Sequence, residues 1–149
     1  MVNNQNEFNE KYNNKKVTEI KIEDEYEFEG QLIIEGYSDL EKLYLHDVDS
    51  IDKIILENLS QLQECTIWDC GTKELVIENC PQIKKLNVRS NSLVSLEFLI
   101  NLENLIELEI DSNTEISNGL EYLPKSLEKF SCDNTKLTEV LKVYGGSQV

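Results

Sequence analysis

Ile83-Lys84-Lys85-Leu86-Asn87-Val88-Arg89-Ser90-Asn91-Ser92-Leu93 places apolar side chains at 83, 86, 88 and 93 and an asparagine at 91. Leu86 and Val88 flank Asn87 at a period of two, which in a strand turns the flanking pair to one face and the middle residue to the other. Outward from this stretch the pattern apolar-x-x-apolar-x-apolar recurs. It reads Val17-Ile20-Ile22, Leu40-Leu43-Leu45 and Leu62-Cys65-Ile67 before it, and Leu105-Leu108-Ile110 and Leu127-Phe130-Cys132 after it. The starts at 17, 40, 62, 83, 105 and 127 are separated by 23, 22, 21, 22 and 22 residues. A near-constant step from end to end marks a chain of stacked repeats.

A second series lies about half a step later: Leu32-Ile34, Ile51-Ile54-Leu56, Thr72-Leu75-Ile77 and Leu93-Leu96-Phe98. Each coil is thus expected to send two short strands inward from opposite walls. One coil cannot bury both alone, but coils stacked about 4.8 Å apart complete the strand hydrogen bonds and share one core. Gly36, Asn58, Asn79 and Asn101 follow the second series, and as residues tolerant of positive φ they predict a repeated corner. Tyr37, Leu59, Cys80 and Leu102 then point back inside. Cys65, Cys80 and Cys132 stand at core aliphatic positions and Cys70 at the position of Asn91. They form no CxxC pair and His46 is the single histidine, so buried free thiols are expected and no metal site.

The spacing Ile83-x-x-Leu86-x-Val88-x-x-Asn91-x-Leu93, with Leu105-x-x-Leu108-x-Ile110-x-x-Asn113, resembles the leucine-rich-repeat family. It is most similar to the short subclass with two LxxLxL halves per coil. Gly119-Leu120-Glu121-Tyr122-Leu123-Pro124 is similar to the ends seen in intracellular fungal members. The resemblance covers roughly residues 17 to 144. It implies an α/β repeat fold, mainly β: a right-handed leucine-rich-repeat solenoid of about six coils with parallel strands and short helical caps at both ends. In that family the asparagine binds free backbone groups inside the turn; here Val48, Cys70 and Thr135 stand in its place in three coils, which interrupts a regular asparagine ladder.

One domain is expected. Residues 1–16 read as an N-terminal helical cap carrying Phe8 and Tyr12, residues 17–135 as the solenoid, residues 136–144 as a C-terminal helical cap and residues 145–149 as a flexible tail. The C-terminal cap rests on Leu137, Val140, Leu141 and Tyr144 and stops at Gly145-Gly146; the linker composition of the tail allows additional domains in a longer protein. The net charge of −15 argues against nucleic acid and anionic membranes as partners. It either steers a basic partner or keeps the chain soluble. No stretch is apolar enough to span a membrane and the N-terminus lacks signal-peptide regions, so an intracellular, cytoplasmic location is expected.

Catalytic motifs are missing (GxSxG, Walker and GxGxxG loops alike), and no enzyme activity and no cofactor are expected. The carboxylates fall in outward columns, and the extended surface of a solenoid favours recognition over turnover. On the first sheet, Glu19, Lys42, Glu64, Lys85, Glu107 and Lys129 alternate in sign, which reads as structural pairing. The next outward columns gather Tyr44, His46, Trp68 and Arg89, bordered by Asp111, on what the resemblance makes the concave face. Tyrosine, tryptophan and arginine are enriched at binding hot spots, so these five are the candidate partner-binding residues. The alternative is that Trp68 lies flat under Arg89 as a surface staple. A rival patch on the second sheet is Ile33, Ile55 and Val76, an aliphatic line bordered by Glu35, Glu57 and Glu78; a calcium site there is disfavoured because nothing resembles a calcium loop. The expected function is a protein-binding, non-catalytic module. The alternatives are a structural spacer without a specific ligand, and the recognition arm of a larger kinase or ubiquitin-ligase type protein.

Overall fold

The computed structural model describes residues 4–26, 28–48 and 50–139. Helix α1 (Asn4–Lys11) leads into nine strands: β1 (Glu19–Glu23), β2 (Gln31–Glu35), β3 (Lys42–His46), β4 (Lys53–Glu57), β5 (Glu64–Trp68), β6 (Glu74–Glu78), β7 (Lys85–Asn87), β8 (Glu107–Glu109) and β9 (Lys129–Ser131). The odd-numbered strands to β7, then β8 and β9, form a six-stranded sheet in the order β1-β3-β5-β7-β8-β9; β2-β4-β6 form a three-stranded sheet. All pairings are parallel. Strands of one sheet separated by passes through the opposite wall make a mainly-β parallel solenoid of about 5 turns. The six aligned sequence segments are its six first-wall strands.

Burial follows the alternation. In β1 the apolar Ile20 and Ile22 are buried and Glu19, Lys21 and Glu23 exposed, and β2 to β6 repeat the scheme with a half-buried middle residue. The buried set forms one continuous core from Phe8 to Leu137. The four thiols are inside it, unpaired with one another. Asn91 spans neighbouring coils: its amide group donates to the carbonyls of Ile67 (2.7 Å) and Val88 (3.0 Å) and accepts from the backbone N–H of Cys70 (3.0 Å) and Thr72 (3.3 Å). Asn113 repeats the role toward Val88, Ile110 and Leu93. Where the asparagine is missing, the Cys70 thiol donates to the Trp68 carbonyl and Thr135 Oγ1 to the Cys132 carbonyl, while Val48 fills the space with apolar atoms alone.

The corners set the direction of every outward side chain. Asp24, Asp47, Asp69, Ser90, Ser112 and Asn134, one per first-wall strand, have φ between 53° and 60°. Each of the first five donates its amide to a carbonyl of the following coil, for example Asp47 to Trp68 (3.0 Å) and Asp69 to Arg89 (3.2 Å). Short polar side chains are the ones that tolerate this left-handed conformation. The row was not apparent in the sequence, where only the second corner was expected. At that second corner Gly36, Asn58 and Asn79 do adopt φ of 82°, 58° and 54°.

Asn101 does not, and the expected fourth strand of that wall is absent. Leu93-Leu96-Phe98 leads instead into a 3-10 turn over Glu97–Leu99, closed by Leu99 N–H to Leu96 O (3.0 Å) and Ile100 N–H to Glu97 O (3.2 Å). Leu93, Leu96, Leu99 and Leu102 are all buried, and their spacing of three is the one a 3-10 helix eclipses. A second such turn, Leu120–Tyr122, occupies the same wall one coil later. At the N-terminus the helix ends at Lys11 rather than running through the cap, with Phe8 fully buried. At the C-terminus the chain turns helical over residues 137–139 with Leu137 buried. Val140, Leu141, Tyr144 and the tail lie outside the described residues.

Candidate binding face

The outer face of the six-stranded sheet is built column by column. Register pairs Glu23 with His46 and His46 with Trp68, and the corner amides of Asp24, Asp47 and Asp69 hold the carbonyls of His46, Trp68 and Arg89. These three side chains therefore leave consecutive coils in one line. The His46 and Trp68 rings stack at 4.1 Å with an interplanar angle of 18°. From the other side, the Arg89 guanidinium carbon lies 4.7 Å from the Trp68 ring centre. Tyr44, one step back on β3, meets His46 edge-on at 6.1 Å, and Lys21 Nζ lies 5.4 Å from the Tyr44 ring centre. The result is a ladder Lys21–Tyr44–His46–Trp68–Arg89 across β1, β3, β5 and the segment after β7, in which cations cap a run of aromatic faces.

The structure brings four of the five candidates together. Asp111 borders Arg89 in the next coil, where the Ser90 amide donates to its carbonyl (2.9 Å); its carboxylate accepts from the Ser131 hydroxyl and, at 2.8 Å, from the Asp133 amide. Lys21 and Glu109 join the face as well. Glu109 Oε2 sits 3.7 Å from Arg89 Nε, beyond hydrogen-bonding reach, and that buried Nε has no hydrogen-bond partner. Both residues stand in the middle outward column, and a cation beside an aromatic in the next strand is the signal that would have flagged Lys21. Trp68 is half-buried with both neighbours in place, so the indole presents its edge outward. A small recess of about 200 Å³ borders the ladder, lined by Thr66, Asn87, Glu107 and Glu109 among others.

The alternating charge column is real and adjoins this face. Glu64 lies between Lys42 and Lys85, 3.9 Å from each, and Lys129 pairs with Glu107 at 3.4 Å. On the opposite wall Ile33, Ile55 and Val76 are in register and half-buried, beside Glu35, Glu57 and Glu78, also in register. Helix α1 packs along β2 at one end of that patch, where the Gln5 side chain bonds both backbone groups of Ile33.

Among the described residues no three His, Cys, Asp or Glu side chains converge as metal ligands, and no helix is long and apolar enough to cross a membrane. Burial pushes the Cys70 thiol up to about 11 and raises Cys65 and Cys80 as well, so the thiols sit in the core as neutral groups. Comparison of the chain with models of known families, with curated proteins and with solved structures returned no match.

Proposed function

We propose that the chain is a protein-recognition module of the leucine-rich-repeat type, right-handed and counted as six repeat units, that binds its partner through the face of the six-stranded sheet and performs no chemistry itself. The aromatic–cationic ladder carries this reading. A run of Tyr44, His46, Trp68 and Arg89, the first held in β3 and the other three at backbone corners, is the kind of pre-ordered anchor that binding hot spots use. The Arg89 guanidinium sits over the indole, 4.7 Å from its centre, with N–H groups that can meet a partner's acceptors. The shallow relief of the face favours a protein surface over a small molecule. Four buried free thiols suit a reducing, intracellular compartment.

The spacer reading draws on one observation of its own: both sides of the Trp68 ring are covered from within the chain, as a surface staple would be. Affinity capture separates the two. Wild-type chain and a Trp68→Ala plus Arg89→Ala variant are immobilised at matched thermal stability, and retained proteins are identified by mass spectrometry. Recognition requires a protein that the wild type retains and the double variant loses, with an affinity drop of at least tenfold, or about 1.4 kcal/mol. Identical capture by both chains leaves the spacer reading.

A further inference from the structure

The three-stranded sheet has two edges, and the described residues close only one. On β2, the N–H and C=O of Ile33 face away from β4, and the Gln5 side chain takes both, at 2.6 and 2.8 Å. On β6, Glu74 N–H donates to Asp52 O and Asn58 N–H to Glu78 O, so alternate residues from Glu74 face β4. The same alternation turns the N–H and C=O groups of Leu75 and Ile77 to the far side. There none of the described residues supplies a partner. The next pass of the chain meets this strand's approach only at Thr72, whose N–H donates to Asn91 Oδ1 (3.3 Å) and whose carbonyl accepts from Ser92 N–H (2.8 Å), and then winds into the 3-10 turn Glu97–Leu99.

Between β6 and that turn lies a groove of about 580 Å³ lined by Val76, Val94, Phe98 and Ile100. Val94 and Ile100 are 60% and 64% exposed, two of the most exposed large apolar side chains described. The rim is acidic. Lys73 is engaged with Asp52 (3.7 Å) and Glu74 with Lys53 (3.3 Å), while Glu78 and Glu97 form no ion pair among the described residues.

We propose that the β6 edge and this groove receive an extended segment of a partner protein as an added strand, one with alternating apolar residues and basic residues at its ends. The unpaired groups of Leu75 and Ile77 offer two donors and two acceptors at strand spacing, the apolar side chains enter beside Val94 and Ile100, and the basic ends meet Glu78 and Glu97. A second copy of the chain fits poorly: antiparallel pairing of two β6 edges sets Glu74 and Glu78 against their own kind between molecules of net charge −15.

The test uses the full chain and a short labelled peptide of alternating valine and threonine with an arginine at each end. Amide exchange followed by NMR is expected to be fast at Leu75 and Ile77, slow at Ile54 and Leu56, and slowed at the first pair by the peptide. Affinity is expected to fall about tenfold or more when the peptide amides facing β6 are N-methylated, when its arginines become glutamates, or in Val94→Asp. The double variant Glu78→Lys plus Glu97→Lys weakens it similarly, whereas Trp68→Ala plus Arg89→Ala leaves it unchanged. The proposal is overturned by absence of saturable binding or by equal affinity of the N-methylated peptide. Protection of Leu75 and Ile77 that grows with protein concentration alone also overturns it, in favour of self-pairing.

Discussion

Thr72 holds the position that Ile51 and Leu93 hold in the flanking coils, and it is buried with its Oγ1 lacking a hydrogen-bond partner. A desolvated hydroxyl without a partner costs stability, and valine keeps the shape without it. Thr72→Val is therefore expected to stabilise the fold by about 1 kcal/mol, read as a higher denaturant midpoint at unchanged slope. A lower midpoint would show that the hydroxyl is bonded after all. The thiols make a second residue-level prediction. Cys70 rises from 9.0 to about 11 on burial, and Cys65 rises further for the same reason. A raised folded pKa means the unfolded chain ionises first, so this stability is complete below pH 9, is lost progressively toward pH 11, and continues to fall beyond it for Cys65. Thermal melts across that window should slope downward in the wild type and less steeply in Cys65→Val; parallel slopes would remove the thiols as the cause. Residue identity was also where the candidate site became legible. The two outward columns of the sequence place Tyr44, His46, Trp68 and Arg89 together. Asp111 borders that run, but a column gives its position only, not the Ser131 hydroxyl and Asp133 amide that bond its carboxylate.

Between strands, the two charged columns behave oppositely. Glu64 has a lysine on either side, whereas Glu57 has Glu35 on one side and Glu78 on the other, all in register. Like charges directly across a pair of strands destabilise it. Glu57→Lys converts this column into an alternating one, and a gain of about 0.5 kcal/mol at low ionic strength is expected, shrinking as salt screens the pairs. Melting at two salt concentrations checks it; a loss of stability, or a gain indifferent to salt, counts against the argument. Elements also mark how far periodicity carries. Strands β1 to β6 were readable because every second residue is apolar over five positions. The segment after β7 reads as a strand because Leu93, Leu96 and Phe98 match that template, and it forms the 3-10 turn Glu97–Leu99 instead. Leu99 and Leu102 extend a spacing of three, which competes with the strand and wins once Glu97 stands where the β-branched Ile55 and Val76 favour extension.

Over the whole molecule, each coil packs on its neighbours and on little else, so stability is a sum of coil terms and nearest-neighbour terms. The repeats were legible because they recur; the ends occur once, and Gln5, which closes the β2 edge, carries no pattern that sets it apart from the polar residues around it. Phe8 was the legible part of the N-terminal cap. It is fully buried, with its ring centre 6.0 Å from Phe28, 6.4 Å from Tyr37 and 5.0 Å from Tyr12, and together they seal the first coil. Phe8→Ala removes that seal and is expected to cost about 3–4 kcal/mol. In a chain with nearest-neighbour coupling, the loss is felt from the damaged end. Hydrogen exchange should therefore accelerate most in β1 and β2, less in β3 and β4, and least in β8 and β9, where Phe130, Cys132 and Leu137 close the far end without reference to Phe8. A gradient of this kind identifies the solenoid as a row of coupled units. Equal acceleration at every amide would instead show that the turns unfold as a single block, and nearest-neighbour coupling would then be the wrong description of the molecule.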